Sequence, residues 1–489
     1  MSDDLKKKTV TGVSWSFVEQ FLTRGINLVI GIVLARMLSP TDYGLVGMLG
    51  IFIAISQLFI DGGLASALIR EKNPSEKDFS TVYIVNMTLG VVFYFLLFFS
   101  APLIADFYNQ PLLKSLLRAT ALILVIWPIA SVQNTILIIR VDFKSKMIIS
   151  LVNALVSGAV GIYFAHIGKG PWALVAQSIA SAITATVLTI AFVRWIPKLI
   201  FSKESFKRLF SYGSKLLGSS LIQTVYAHIY PMIIGKRYLA SDVGLYTRAG
   251  QFPNMTNAAF TSAMSQVAFP IMSQIQDDDE RLISAYEKYI QVLCFLTFPV
   301  LMGLCGCARP LVSFLLTDKW IECVPMMQII CFSYLPAGIA QINLNLFYVK
   351  GRSDLVLRIE LLKKALSFAV LFTTMFFGLK MICYGLVVNA LIDFCFGAFY
   401  TRRILDYKPL QQIKAVLPYL LLSVVVLAES LLITHFVQNN LLALLLALLV
   451  CPVSYWAVSK ACKLYAYREA ADLVLTKLGR KPSHNNTEE

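Results

Sequence analysis

Charge is what this chain has least of. Asp, Glu, Lys and Arg together make up 15% of its 489 residues, while 57% are apolar. Soluble domains carry about 25% charged residues, and the mean hydropathy here is +0.70. A soluble fold, a disordered chain and a peripheral membrane enzyme are excluded. At about 20 residues per crossing, the apolar content amounts to about fourteen transmembrane helices. Histidine is nearly missing as well: His166, His228, His435 and His484 are scattered, and no HExxH occurs. There is no GxxxxGK[ST] loop. Metal chemistry and ATP hydrolysis therefore have no motif to rest on, and no catalytic residue or resident cofactor is expected. Cys305 and Cys307 form a CxC without metal spacing, and the nine cysteines are read as small apolar helix residues.

What the sequence does hold is a series of apolar windows punctuated by Pro, Gly and charge. They read as spans at 12–37, 43–68, 79–105, 112–139, 147–166, 171–194, 207–235, 243–275, 284–306, 324–349, 355–378, 381–401, 413–435 and 441–463. The fold class is all-α polytopic membrane protein with about fourteen crossings. The amino-terminal MSDDLKKKTV has no signal-peptide cleavage site, so the first window reads as a retained span. The net charge of +15 follows the positive-inside bias rather than nucleic-acid binding. Taking the amino terminus, alternate connections and the carboxyl tail as one set, 31 Lys+Arg fall there and 10 on the opposite set. Both termini are thereby placed in the cytoplasm. No connection is long enough to be a domain. The outer segment 307–322 is expected to lie in the interface with Trp320 as its anchor, and the tail after 464 to lie in the membrane plane.

An internal repeat sits at an offset of 200. Asp42, Gly44, Leu45, Gly50 and Phe52 match Asp242, Gly244, Leu245, Gly250 and Phe252, and Arg36 matches Lys236. The period is six helices. The expected organisation is a six-helix bundle over 1–200, a second over 201–405, two further helices over 406–464 and a cytoplasmic tail over 465–489. Parallel repeats of this kind occur in transporters, with the substrate path between the halves.

The polar residues fall on the same repeated helices. A charge at mid-bilayer costs roughly 2.5–3.5 kcal/mol on insertion scales, so it should face a partner or a cavity. The first helix carries Glu19 together with Gln20, Arg24 and Asn27 at i, i+4, i+7, one face of a helix. Gln57 and Asp61 lie on the second, Lys215 and Gln223 on the seventh, and Arg248, Gln251 and Asn254 on the eighth. Interhelical hydrogen bonding accounts for Asn86, Asn153 and Ser181. Arg24, Arg248 and Lys215 suit an anionic group, phosphate or carboxylate, and the amides beside them suit a hydroxyl-rich one. Glu19 and Asp61 are read as neutralising nearby cations, and as the acids placed to couple transport to Na⁺ or H⁺. Asp393 and Glu429 read as structural pairings.

The stretch from 9 to 73, with LARMLSPTDYGLVGM followed by DGGLASALIR, resembles Wzx-type polysaccharide exporters, in the colanic-acid and teichuronic-acid branch of the MOP superfamily. SQVAFPIMSQIQDD (265–278) and LTDKWIECVPMMQI (316–329) are similar to that branch too. The resemblance implies two six-helix bundles plus two helices. It also implies flipping of undecaprenyl-diphosphate-linked oligosaccharide across the bacterial inner membrane by alternating access, for O-antigen, capsule or exopolysaccharide. The partners implied are that lipid-linked substrate, membrane lipids, and a polysaccharide polymerase with its chain-length machinery. Related lipid II flippases carry cavity cations on helices 1, 2 and 8. Arg24 and Arg248 match that placement, whereas the second helix has only Arg70, at its cytoplasmic end. Two other readings remain beside this one: a cation-coupled small-molecule antiporter of the same superfamily, and a membrane enzyme of cell-envelope assembly.

Overall fold

A computed structural model of the chain describes residues 3–469, and every regular element among them is helical. It separates into two compact units, Met1–Gly244 and Leu245–Glu489. Most of the expected tail lies outside the described residues.

The first unit contains α1 (Asp3–Met37), α2 (Pro40–Asp61), α3 (Leu64–Arg70), α4 (Glu76–Tyr108), α5 (Leu112–Thr120), α6 (Ile123–Ile126), α7 (Ser131–Ile139), α8 (Phe143–His166), α9 (Trp172–Val193) and α10 (Lys203–Arg237). Local chemistry sets the ends. Ser39 caps α2 in a capping box with Asp42, with Pro40 at the first helical position, and Ser75 caps α4 with Asp78 in the same way. In the DGG motif, Gly62 and Gly63 both adopt left-handed φ, +52° and +70°, stopping α2 and starting α3 one residue later. Pro128 lies in a 3-10 turn, Trp127–Ala130, that breaks the fourth apolar window between α6 and α7. Asn86 donates to Ser131 (3.2 Å) and Asn153 to Ser181 (3.0 Å), the interhelical bonds expected of them.

The connector after α9 is pinned to the helices around it. Trp195 Nε1 donates to Glu76 (3.0 Å), and the Ser202 N–H donates to Thr81 (3.0 Å). Arg208 on α10 bridges Asp78 (2.5 Å) and Glu71 (3.2 Å). The compact unit accordingly runs one helix past residue 200. A boundary at 200 marks the sequence repeat, whereas this one marks packing.

α11 (Ala240–Gln274) crosses between the units in sequence. The second unit continues with α12 (Asp279–Gly306), α13 (Ala308–Leu316), a 3-10 turn (Asp318–Cys323), α14 (Val324–Val349), α15 (Ser353–Thr374), α16 (Leu379–Leu405), α17 (Pro409–Phe436) and α18 (Asn440–Ala461). Its core is a buried column through Tyr286, Leu293, Leu301, Leu346 and Tyr419. A polar knot joins α12, α14 and α17: Gln412 donates to the Tyr286 hydroxyl (2.6 Å) and to Asn343 (3.1 Å), and that hydroxyl donates to Asn343. These three bonds hold α17 against α12 and α14, although Asn343 Nδ2 and Gln412 Oε1 within the knot have no hydrogen-bond partner among the described residues.

Among the described residues, ten helical stretches are long and apolar enough to cross a membrane: 40–70, 76–108, 112–139, 143–166, 172–193, 279–306, 318–349, 379–405, 409–436 and 440–461. Four further helices, α1, α10, α11 and α15, with 35, 35, 35 and 22 residues, are not among these ten. All four coincide with expected spans.

Candidate functional site

The polar positions of the first unit divide between a helix face and a cavity. On α1, Gln20, Arg24 and Asn27 are all exposed, as their spacing requires, with Arg24 Nη2 3.4 Å from Gln20 Oε1. Among the described residues, no cation pairs with Glu19. It accepts a hydrogen bond from Ser150 on α8 (2.8 Å), because α1 packs along α8. Lys215 and Gln223 are exposed on α10. Gln223 lines a cavity of about 650 Å³ with Gln57, Asp61, Trp127, Thr224 and His228. Arg24 and Lys215 do not line it.

Asp61 has a structural task at that cavity's edge. Its carboxylate faces the backbone N–H groups of Gly63 and Ala65 at the start of α3. Arg70, one of the two cations (with Arg248) that Asp61 is expected to neutralise, lies over the Tyr212 ring at 4.5 Å. The repeat residues are explained in the same local terms. Asp42 accepts from the Ser39 N–H (2.8 Å) and Asp242 from the Leu239 N–H (3.0 Å). A Cβ on Gly44 would collide with the Ala240 carbonyl oxygen, and one on Gly244 with that of Pro40. The two hairpin tips thus pack glycine against backbone, each on the other's helix start.

In the second unit, Arg248 is 7% exposed. Its guanidinium donates to Gln251 and lies 5.5 Å from the centroid of the Trp320 ring. Trp320 is fully buried, which corrects its expected place as an interfacial anchor. The cation draws the indole inward, a contact favoured by the ring's quadrupole. Asn254 is exposed and Gln251 half-buried.

Two features escaped the sequence. On α15, Lys363 Nζ pairs with Glu360 (2.8 Å) and with Asp393 on α16 (3.4 Å). Lys363 falls inside the expected span 355–378, but no local pattern names Glu360 and Asp393 as its partners. Glu429 accepts from Ser454. An apolar groove of about 460 Å³ also opens among α12, α17 and α18, lined by Phe295, Pro299, Val300, Val426, Leu448 and Trp456; no one segment carries its pattern.

Known proteins bear on this arrangement. The structure is similar to that of the lipid II flippase MurJ in an inward closed conformation, at 16% identity and a TM-score of 0.74 over 95% of this chain and 99% of that one. An inward-facing multidrug resistance MATE transporter of the MOP superfamily aligns at 14% identity and 0.60, over 80% and 99%. Among sequences, the succinoglycan biosynthesis transport protein ExoT of Rhizobium meliloti is 27% identical over 68% of each chain. The lipopolysaccharide biosynthesis protein WzxC of Escherichia coli is 25% identical over 73% of each. Residues 33–325 match the family described as polysaccharide biosynthesis protein. With the match covering more than half of it, the chain belongs to that polysaccharide biosynthesis protein family.

Proposed function

We propose that the protein is a flippase that moves undecaprenyl-diphosphate-linked oligosaccharide across the bacterial inner membrane by alternating access. The observation that carries this reading is the exposed polar face of α1 and α10: Gln20, Arg24, Asn27, Lys215 and Gln223, on helices that coincide with expected spans. Uncompensated charge does not face hydrocarbon, so this face lines water. Arginine and lysine there bind the diphosphate, and the amides bind sugar hydroxyls. Asn254 on α11 is exposed with the same amide chemistry, while Arg248 and Gln251 hold the outer end of that helix. The family match and the transport proteins aligned with it support the same class. The apolar groove among α12, α17 and α18 suits a prenyl chain.

In this reading the chain crosses the membrane fourteen times as two six-helix bundles plus two helices, with both termini cytoplasmic. Polysaccharide polymerase and chain-length proteins are its partners downstream. Asp61, with His228 across the same cavity, is the acid best placed to couple transport to H⁺ or Na⁺. That cavity is also what favours the second reading, a cation-coupled small-molecule antiporter.

Complementation of an exporter-deficient host tests the assignment. Arg24→Ala is expected to abolish surface polymer with normal protein level and melting temperature, because its guanidinium is exposed. Arg248→Ala is expected to lose export and stability together. Normal polymer from Arg24→Ala would remove the cationic face from the mechanism. Drug resistance without polymer would favour the antiporter.

A further inference from the structure

A basic concavity lies in the second unit. It measures about 470 Å³ and is built where the end of α14, the start of α15 and the end of α16 converge: Lys350, Arg352, Asp354, Arg358, Tyr400 and Arg403. Its charges do not cancel. Lys350 pairs with Asp279 (2.5 Å), and Arg352 with Asp354 (3.3 Å). The Arg352 hydrogen bond holds the Asp354 carboxyl below the usual carboxylate range, so that pair stays ionised at neutral pH. Arg358 and Arg403 are exposed and offer two further guanidinium groups to the same hollow.

The surroundings indicate what fills it. One turn beyond Arg358, Leu361 and Leu362 are 48% and 51% exposed, and Phe399 beside Tyr400 is 58% exposed. An apolar helix face thus runs directly from the basic hollow. We infer that this concavity binds the phosphate of an anionic phospholipid head group, with Arg358 and Arg403 holding the oxygens and the acyl chains lying along Leu361, Leu362 and Phe399. Guanidinium forks match phosphate geometry, and basic pockets at the cytoplasmic ends of membrane helices are suited to such head groups.

Saturable binding of a fluorescent cardiolipin to the detergent-purified full chain tests the site, with inorganic pyrophosphate as a soluble competitor and phosphatidylcholine as the net-neutral control. Removing two guanidinium charges by Arg358→Gln with Arg403→Gln is expected to weaken cardiolipin roughly thirtyfold. Arg140→Gln with Lys144→Gln removes two exposed charges elsewhere and is expected to change it less than about twofold. Both proteins should melt as the parent does without lipid, since all four side chains are exposed. Displacement by millimolar pyrophosphate, with cardiolipin binding no more tightly than pyrophosphate, would support the phosphate site but assign it to a soluble ligand. The proposal is overturned if cardiolipin does not saturate, if phosphatidylcholine binds equally, or if both double variants bind alike.

Discussion

Lys363 lies near the middle of α15 with its ammonium between two carboxylates. Its side chain is 6% exposed, whereas those of Glu360 and Asp393 are 32% and 31% exposed. Removing one member of a buried pair leaves the others uncompensated, which costs several kcal/mol, while replacing the whole set with apolar groups is often neutral. Lys363→Met is therefore expected to destabilise the protein by roughly 3 kcal/mol, read as a lower melting temperature in detergent. Adding Asp393→Leu and Glu360→Leu should restore most of it. A triple variant as unstable as the single one would mean that the lysine stem's packing, not its charge, matters. At this scale the sequence identified polar types and spacing well: the i, i+4, i+7 face of α1 is exposed as its periodicity requires. It could not assign partners. Glu19 with Ser150 and Arg248 with Trp320 are separated by long stretches of chain, and no local pattern encodes them.

Elements were legible where punctuation is chemical. The Ser-x-x-Asp boxes at Ser39 and Ser75 obey capping rules, whereas the break at Pro128 interrupts a window read as one span, 112–139. The DGG motif illustrates what the sequence conceals, because its second glycine serves two constraints at once. Gly63 has φ +70°, and a Cβ there would meet the Gly213 carbonyl oxygen on α10 at 2.6 Å. Gly168 has nearly the same φ, +72°, with nothing within 4 Å. Gly168→Ala should thus cost only the left-handed strain, roughly 1–2 kcal/mol. Gly63→Ala should cost clearly more, since α3 must also move away from α10. Thermal melting of the two variants separates conformational strain from close packing. Equal losses would show that α3 and α10 yield without penalty.

For the whole molecule, the decisive question is whether the four polar helices cross the bilayer. Length permits it: even α15, at about 1.5 Å per residue, reaches roughly 33 Å against a hydrocarbon core of about 30 Å. Composition argues against it residue by residue, but insertion of a polar helix is offset when its neighbours face its charges, as Asp393 on α16 faces Lys363. Each crossing puts the next connection on the opposite side of the membrane. If α15 crosses, Lys350 before it and Lys380 after it lie on opposite faces, and if α1 crosses, Lys8 and Arg36 do too. If α10 and α11 cross, Arg237 at their turn is outside while Arg281 is inside. Single cysteines at these six positions, in a chain whose nine native cysteines are replaced, can be labelled with an impermeant thiol reagent in right-side-out vesicles. Seven of the native nine are buried, so substitution by alanine or serine needs a folding check first. The expected result is labelling at 36, 237 and 380 alone. Labelling of 350 with 380, or of neither, would reduce α15 to a helix packed at the surface. The charge bias that orients every connection after it would then have to be explained another way.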